Sequence, residues 1–483
     1  MMKKSKLILM IIIIFTISFL EIILLSHFRE TRITCVHSFG ILSYCEPVKI
    51  GIKIKNPMVR EVRKKTLKNL HYLTKKKVPN CDEFTSITTN RKNDDNYDIE
   101  VKCNNGKKIN LPLNNEYLWI KFDEAFNDNN FLWDDVLISW WMMTTDPKLS
   151  ISTLDFWYSQ QIEVGDNKGL IPREITNELK SHWDRNDKRV SGPMFMSRVE
   201  LDLFKKYGDT SRLHKVFPKL IEYFYWVENN RKVKVITNLG IVDEYLWSKW
   251  GSSMDNLPRC EDEIICGYSD LIAQQAAMAS DIRDIANILE ETDLIDVFTQ
   301  KREYLAEQIN KYYFDEEDSF VYDIDSNGQK LKSEQTAAFI WTLYAKVLDS
   351  QKTKQMIDNY LLDKKKFGGE VWMTSLSRDS VFFKSDGGYW QGGVWPPLVW
   401  IGYLSLKDNG YTTEAKIMAN FYLSSFEELW KKDETLYEYY SPTLKNGELN
   451  PGKSPTAIKD FFGWGMLPVK LYFEVNEQSK RIR

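Results

Sequence analysis

Helix-spaced apolar positions run through most of the chain. Residues 57–76, 133–145, 149–163, 192–207, 211–230, 269–290, 294–312, 333–347, 351–362, 394–407, 411–430 and 461–474 each repeat apolar side chains at three- and four-residue intervals, the spacing that places them on one helix face. The pattern predicts twelve helices. Paired as antiparallel hairpins, they predict an all-α (α/α)6 toroid of six outer and six inner helices. A helical solenoid also stacks helix pairs, but no self-similar period of roughly 30–50 residues is visible. Residues 80–115 break the pattern: they are polar and asparagine-rich, with alternating pieces such as Tyr97–Lys102, and predict a small β insertion. Phe314–Ile324 predicts a β-turn connection between helices.

The first apolar run is of another kind. Residues 7–25 carry a single charge, Glu21, and approach the ~20 residues that a helix needs to span hydrocarbon. Lys3, Lys4 and Lys6 precede the run, which favours a cytoplasmic N-terminus and a type II transmembrane orientation. A cleaved signal peptide is the competing reading, but Ser26–Arg29 offers no small-x-small cleavage site. The expected organisation is a cytoplasmic tail (1–6), a signal-anchor helix (7–26), a stalk (27–56) and one toroidal domain (57–483). That domain would face a non-cytoplasmic space, either the endoplasmic reticulum or Golgi lumen or a bacterial periplasm.

Cysteine usage agrees with such a compartment. All six cysteines (Cys35, Cys45, Cys81, Cys103, Cys260 and Cys266) follow the apolar run, and their number is even. Pairing neighbours (35–45, 81–103, 260–266) is the simplest of the possible connectivities. No C-x-x-C pair occurs and the five histidines are scattered, so no metal or other cofactor is expected. With 65 basic and 68 acidic residues, the chain lacks the positive field that nucleic acid would require. The 16 Trp, 24 Tyr and 25 Phe residues fit either a large helical core or a cleft that stacks on sugar rings.

Candidate chemistry lies in the loops between helices, where Trp, Gly, Pro and carboxylates cluster. Four stretches stand out: Phe131–Asp135, Gly169–Glu174, Trp250–Arg259, and Gly387–Pro397 together with the later Tyr437–Pro442. Each has a plain structural reading, as a helix cap, a surface pair or a packed glycine turn. Their recurrence at successive inter-helix loops points to one shared mouth.

These stretches resemble glycoside hydrolase family 63, which holds processing α-glucosidase I and compact mannosylglycerate and glucosylglycerate hydrolases, in a clan shared with trehalases. Phe131–Asp135 (FLWDD) resembles the family's FLWDE, Leu170–Glu174 its W-I-x-RE element, Ser252–Arg259 (SSMDNLPR) its SGMDNSPR loop, and Tyr389–Pro397 (YWQGGVWPP) its YWRGPVWPP. The resemblance covers about residues 115–470. It implies an inverting α-glycosidase of glucosidase or mannosidase type, with a trehalase-like hydrolase or an inactive carbohydrate-binding protein as alternatives. It implies Asp255 as general acid and Glu438 as general base, with Glu434 and Glu448 close by as competitors for the second role. Trp133 and Asp134 would hold the sugar, and Arg173, Asn256, Trp390, Gln391, Trp395 and Trp464 would line the cleft. Gln391 and Gly393 stand where the family has Arg and Pro, and the large N-terminal β-domain of the processing enzyme has no counterpart here.

Overall fold

The computed structural model describes residues 34–35, 45–46, 54–68, 71–74, 84–93, 96–103, 105–112, 118–121, 130–175, 191–247, 249–260 and 266–481. The chain divides into two compact units, 1–53 with 93–96, and 54–92 with 97–483. In the first, β1 (Thr34–Cys35) pairs antiparallel with β2 (Cys45–Glu46), which sets Cys35 opposite Cys45. The run expected to anchor the chain, 7–26, lies outside the described residues. Among the described residues no helix is long and apolar enough to cross a membrane.

The second unit is mostly helical. In chain order its principal helices are α1 (Pro57–Lys68), α2 (Leu132–Met142), α3 (Pro147–Ser159), α4 (Met196–Tyr207), α5 (Thr210–Asn230), α6 (Ser269–Ile288), α7 (Thr292–Gln308), α8 (Ile340–Ala345), α9 (Ser350–Met356), α10 (Pro396–Asp408), α11 (Thr412–Asp433) and α12 (Met466–Arg481). Each overlaps one of the twelve predicted segments, with Ile340–Ala345 covering only part of 333–347 and Met466–Arg481 starting and ending later than 461–474. The even-numbered helices form an inner ring: α2 packs on α4, α4 on α6, α6 on α8, α8 on α10, and α12 on α2. The Lys407–Glu474 ion pair (2.7 Å) joins α10 to α12. Odd-numbered helices lie outside, with α3 on α2, α5 and α7 on α6, α11 on α10 and α12, and α1 on α12.

Sequence sets the two layers apart. Every residue of α2 is buried, as is α10 from Pro396 to Leu406, because apart from Asp134, Asp135 and Ser139 in the one and Ser405 in the other their side chains are apolar on all sides. In α7 only Phe298, Leu305 and Gln308 are buried, as expected of a helix with one narrow apolar stripe. Turns between layers carry their own signals: α4 ends on left-handed Gly208, and Asp209 caps α5 by accepting the Arg212 N–H.

Short strands dress one another around this frame. β3 (His71–Thr74) pairs with β7 (Leu118–Lys121), so the helix expected to reach residue 76 stops at Lys68. The predicted β insertion is a three-stranded sheet of β4 (Phe84–Asn93), β5 (Asn96–Cys103) and β6 (Lys108–Pro112). β8 (Asn130–Phe131) pairs with β9 (Glu174–Ile175). β10 (Lys232–Thr237) and β11 (Gly240–Tyr245) form a hairpin that the helical pattern did not reveal. β12 (Cys266–Gly267) pairs with β15 (Ile324–Asp325), and β13 (Phe314–Asp315) with β14 (Phe320–Val321) at the predicted turn.

One buried carboxyl makes the fold pH-dependent. Glu244 on β11 is fully buried. Burial, with Asp325 adding its charge, pushes its pKa up to about 7. The native state therefore binds this proton more tightly than the unfolded chain, whose Glu titrates near ~4.3. The resulting stabilisation is complete at low pH, erodes as pH rises through about 7, and is absent above it. Glu244→Gln, which mimics the protonated form, should raise stability at pH 8 by about 2 kcal/mol and give no gain near pH 4.5. Urea titrations at the two pH values measure this difference.

Candidate active site

The loop bearing Asp255 is fixed from both sides. It follows β11 through a single helical turn, Lys249–Ser252, and a left-handed Ser253 (φ 58°). Met254 and Leu257 are buried and pin the backbone on either side of Asp255. Asn256 does not simply line a cleft. Its amide nitrogen donates to Gly388 O (3.1 Å) and its oxygen accepts from the Trp390 N–H (2.8 Å), so it fastens the Asp255 loop to the glycine-rich loop. Arg259 closes the other end, paired with Asp270 and Asp323 and lying over the Tyr268 ring. A Cys260–Cys266 disulfide follows, as neighbour pairing predicts. Cys103 is also disulfide-bonded.

The glycine-rich loop presents Tyr389 and backs it with aromatic rings. Tyr389 has φ +60°, a costly conformation for a bulky residue and one maintained here by the Asn256 clamp on its two neighbours. Gly393 donates its N–H to Tyr389 O, and a Cβ at 393 would meet that oxygen at 2.2 Å, which accounts for glycine at this position. Trp390 and Trp395 stack at 4.0 Å, and Trp395 stacks on Tyr439 at 4.9 Å. Both faces of Trp395 are thus occupied, and it stands behind the wall expected to contain it. Trp133 and Trp464 meet edge-on at 6.1 Å and complete the cluster. Gln391 is half-buried, with its backbone engaged by Gly388 and Lys384.

Glu438 is set apart from its neighbouring glutamates by burial. It is 4% exposed, on a strand-like segment where its N–H donates to Ile458 O (3.0 Å) and where Tyr440 pairs with Val394. Glu434 is exposed at the left-handed C-cap of α11, and Glu448 is exposed beside Lys432. Of the three, only Glu438 is enclosed.

The Trp-Asp-Asp motif opens α2, where its two carboxylates have different surroundings. Asp135 accepts from the indole N–H of Trp157 (2.9 Å) and from the side-chain amide of Asn130 (3.1 Å), a structural arrangement. Asp134, one residue earlier, belongs to the charge cluster around Arg173. Arg173 sits beside β9, where its carbonyl accepts from the Leu132 N–H and its guanidinium lies over the Phe131 ring. Burial lowers its pKa against the opposing pull of Asp255, Glu174, Asp134 and Tyr389.

Tyr389 joins the site into one unit. Burial raises its phenol pKa above the ordinary range, and Glu438, Asp255 and Asp134 raise it further. One hydroxyl group thus feels carboxylates from three segments spread over three hundred residues of sequence. Tyr389 opens the Tyr389–Pro397 motif but reads in sequence as one aromatic among many, and its positive φ is a backbone property without a sequence signature. Among the described residues, no group of three or more His, Cys, Asp and Glu side chains could hold a metal ion.

Because Asn256 satisfies both loops, Asn256→Ala removes two hydrogen bonds and frees Tyr389 to relax. Hydrogen bonds of this kind contribute about 0.5–1.5 kcal/mol each. The expected result is a fall of about tenfold to a hundredfold in kcat/KM with a modest loss of stability. Kinetics and thermal unfolding on the same preparation separate the two.

The family model described as mannosylglycerate hydrolase MGH1-like glycoside hydrolase domain matches residues 270–459 of the chain. The mannosyl-oligosaccharide glucosidase of Saccharomyces cerevisiae is 22% identical over 435 residues, covering 72% of this chain and 50% of its own. An uncharacterized protein of Borreliella burgdorferi is 25% identical over 276 residues, covering 56% of this chain and 53% of its own. The chain therefore spans about half the length of the curated relatives it matches. Among solved structures, the family 63 mannosylglycerate hydrolase of Thermus thermophilus in complex with glucose superposes with a TM-score of 0.57 at 17% identity, over 73% of this chain and 95% of that one. The neutral trehalase of Saccharomyces cerevisiae superposes with a TM-score of 0.54 at 14% identity, over 81% and 77%. At these identities the structural likeness establishes the (α/α)6 fold.

Proposed function

We propose that this protein is an inverting α-glycosidase that hydrolyses a terminal glucosyl or mannosyl unit from a small glycoside or oligosaccharide. The observation that carries the reading is the convergence of Asp134, Asp255 and Glu438 on Tyr389, in a site walled by tryptophans. Hydrolysis with inversion uses one carboxylic acid to protonate the leaving oxygen and one carboxylate to activate a water on the opposite face, about 6.5–9.5 Å away. Asp255 takes the first role and Glu438 the second. Asp134 and Arg173 hold sugar hydroxyls, and Trp133 offers a face for the ring.

The names of two relatives support this range of substrates: one is a mannosyl-oligosaccharide glucosidase and one a mannosylglycerate hydrolase. The likeness to a neutral trehalase supports a second reading, hydrolysis of trehalose by the same two carboxyls. Residues 7–26 anchor the chain in a membrane with the domain on the non-cytoplasmic side, a placement consistent with the Cys260–Cys266 disulfide. Incubating the full chain with α-glucosides, α-mannosides and trehalose, and following the released sugar by NMR, tests the proposal. Release of the β-anomer first is expected. Release of the α-anomer from an α-glucoside or α-mannoside would exclude inversion (an inverting enzyme frees both anomers from trehalose), and no turnover on any panel member would favour a carbohydrate-binding role.

A further inference from the structure

The β10–β11 hairpin carries apolar side chains where a water-facing hairpin would carry polar ones. Ile236 and Ile241 are cross-strand partners, 86% and 52% exposed, and Leu239 in the connecting turn is 63% exposed. Ten large hydrophobic side chains are exposed among the described residues, and four of them, Val233 included, fall within these fourteen residues. Clustering of this kind marks an interaction surface.

The presentation is rigid. Six residue pairs zip the strands together, and Thr237 braces the turn by donating its hydroxyl to Gly240 O while accepting the Leu239 N–H. Tyr312 donates its hydroxyl to Leu239 O and ties the tip to the toroid. The three aliphatic side chains are therefore held outward and do not fold back onto the body. Charges of both signs flank them, Asp243 being the cross-strand partner of Lys234. Lys232 is taken up by Glu228 and Asp243, whereas Lys234 and Lys311, both exposed, make no ion pair, and the Lys311 ammonium lies beside Gly240 in the turn.

We propose that this hairpin tip docks into the surface of an anionic lipid bilayer, with Ile236, Leu239 and Ile241 at the boundary between headgroups and acyl chains and Lys234 and Lys311 against the lipid charge. A second copy of the chain is the poorer occupant. Three side chains fall far short of the roughly 800 Å² per partner of a stable interface, and a two-fold contact would set lysines against lysines. Lys234 also guards the free edge of β10 against strand addition.

The test uses the full chain in phosphatidylcholine vesicles, with and without phosphatidylserine, containing a phospholipid with a photoactivatable diazirine in its acyl chain. Labelled peptides are mapped by mass spectrometry. Label is expected on the peptides covering 231–248. It should fall on the order of tenfold in a triple variant, Ile236→Ser, Leu239→Ser and Ile241→Ser, whose unfolding midpoint should match the parent because all three positions are exposed. Lys234→Gln with Lys311→Gln should reduce label about tenfold in the anionic vesicles and little in the neutral ones. A hairpin that takes no label, or takes it equally in the triple variant, overturns the proposal. So does amine cross-linking that joins two copies through Lys234 in place of lipid labelling.

Discussion

Asp255→Asn is expected to abolish nearly all turnover on substrates with poor leaving groups, lowering kcat by about a thousandfold or more while leaving the fold intact. General acid catalysis contributes about 10²–10⁴ in rate, and an amide cannot supply the proton. The loop itself should not move, because Asn256, Met254, Leu257 and Arg259 hold it independently of the carboxyl. The sharper part of the prediction is chemical. A glycosyl fluoride needs no protonation of its leaving group, so Asp255→Asn should recover much of its activity on that substrate. Glu438→Gln should lose a comparable factor on both substrate types, since the attacking water needs its base in either case. Glu434→Gln and Glu448→Gln should stay within about twofold of the parent, because exposed carboxylates and their surface pairs contribute little. Equal losses for Glu438→Gln and Glu448→Gln would remove the argument from burial.

The second large effect is on stability. Arg259 is one buried cation serving two buried carboxylates: it donates to both oxygens of Asp270 (2.9 and 2.9 Å) and of Asp323 (2.7 and 2.7 Å). Burial raises the Asp323 carboxyl, but the guanidinium outweighs it and holds its pKa below the usual value; Asp270 ends raised, burial prevailing over the same cation. Removing Arg259 leaves two negative groups enclosed without their counter-charge. Breaking a buried pair from one side costs about 3–5 kcal/mol, and Arg259→Ala should cost that much at neutral pH. Both carboxyls of the variant would then titrate above their unfolded values. Its deficit should shrink as pH falls through the raised values, opposite to the behaviour of a protein losing a salt bridge in acid. Arg259→Lys should recover only part, since an ammonium cannot bridge two carboxylates in plane. Denaturant midpoints from pH 4 to 8 decide this. A flat profile would mean that the two aspartates tolerate enclosure unaided.

Much of the architecture was legible because its determinants are local and repeated. The 3.6-residue period marked all twelve helices, and the capping chemistry at Gly208 and Asp209 agrees with the boundary it implied. The β10–β11 hairpin escaped because its Val and Ile positions alternate over only six residues per strand and lie against a strongly helical background. In the candidate site, the loop carrying Asp255 stood out by its composition and motif. Its partner was ambiguous because three glutamates lie within fifteen residues, and burial, a tertiary property, separates them. The place of Tyr389 and the clamp by Asn256 depend on contacts between segments more than a hundred residues apart, and the structural setting of Asp135 on its contact with Trp157 in the next helix. No local pattern encodes those contacts.

The disulfide between Cys260 and Cys266 has a topological consequence. A protease that cuts between the two cysteines leaves the pieces covalently joined, and the clipped protein would keep its mass, apart from one added water, until a reductant is supplied. Reduction would then release an N-terminal piece carrying Asp255 and a C-terminal piece carrying Glu438, with only non-covalent packing, Arg259 to Asp270 and Asp323 included, to hold the halves of the site together. Loss of activity on adding thiol to a nicked sample, with none on adding it to an intact one, would distinguish a clipped population that non-reducing electrophoresis cannot see.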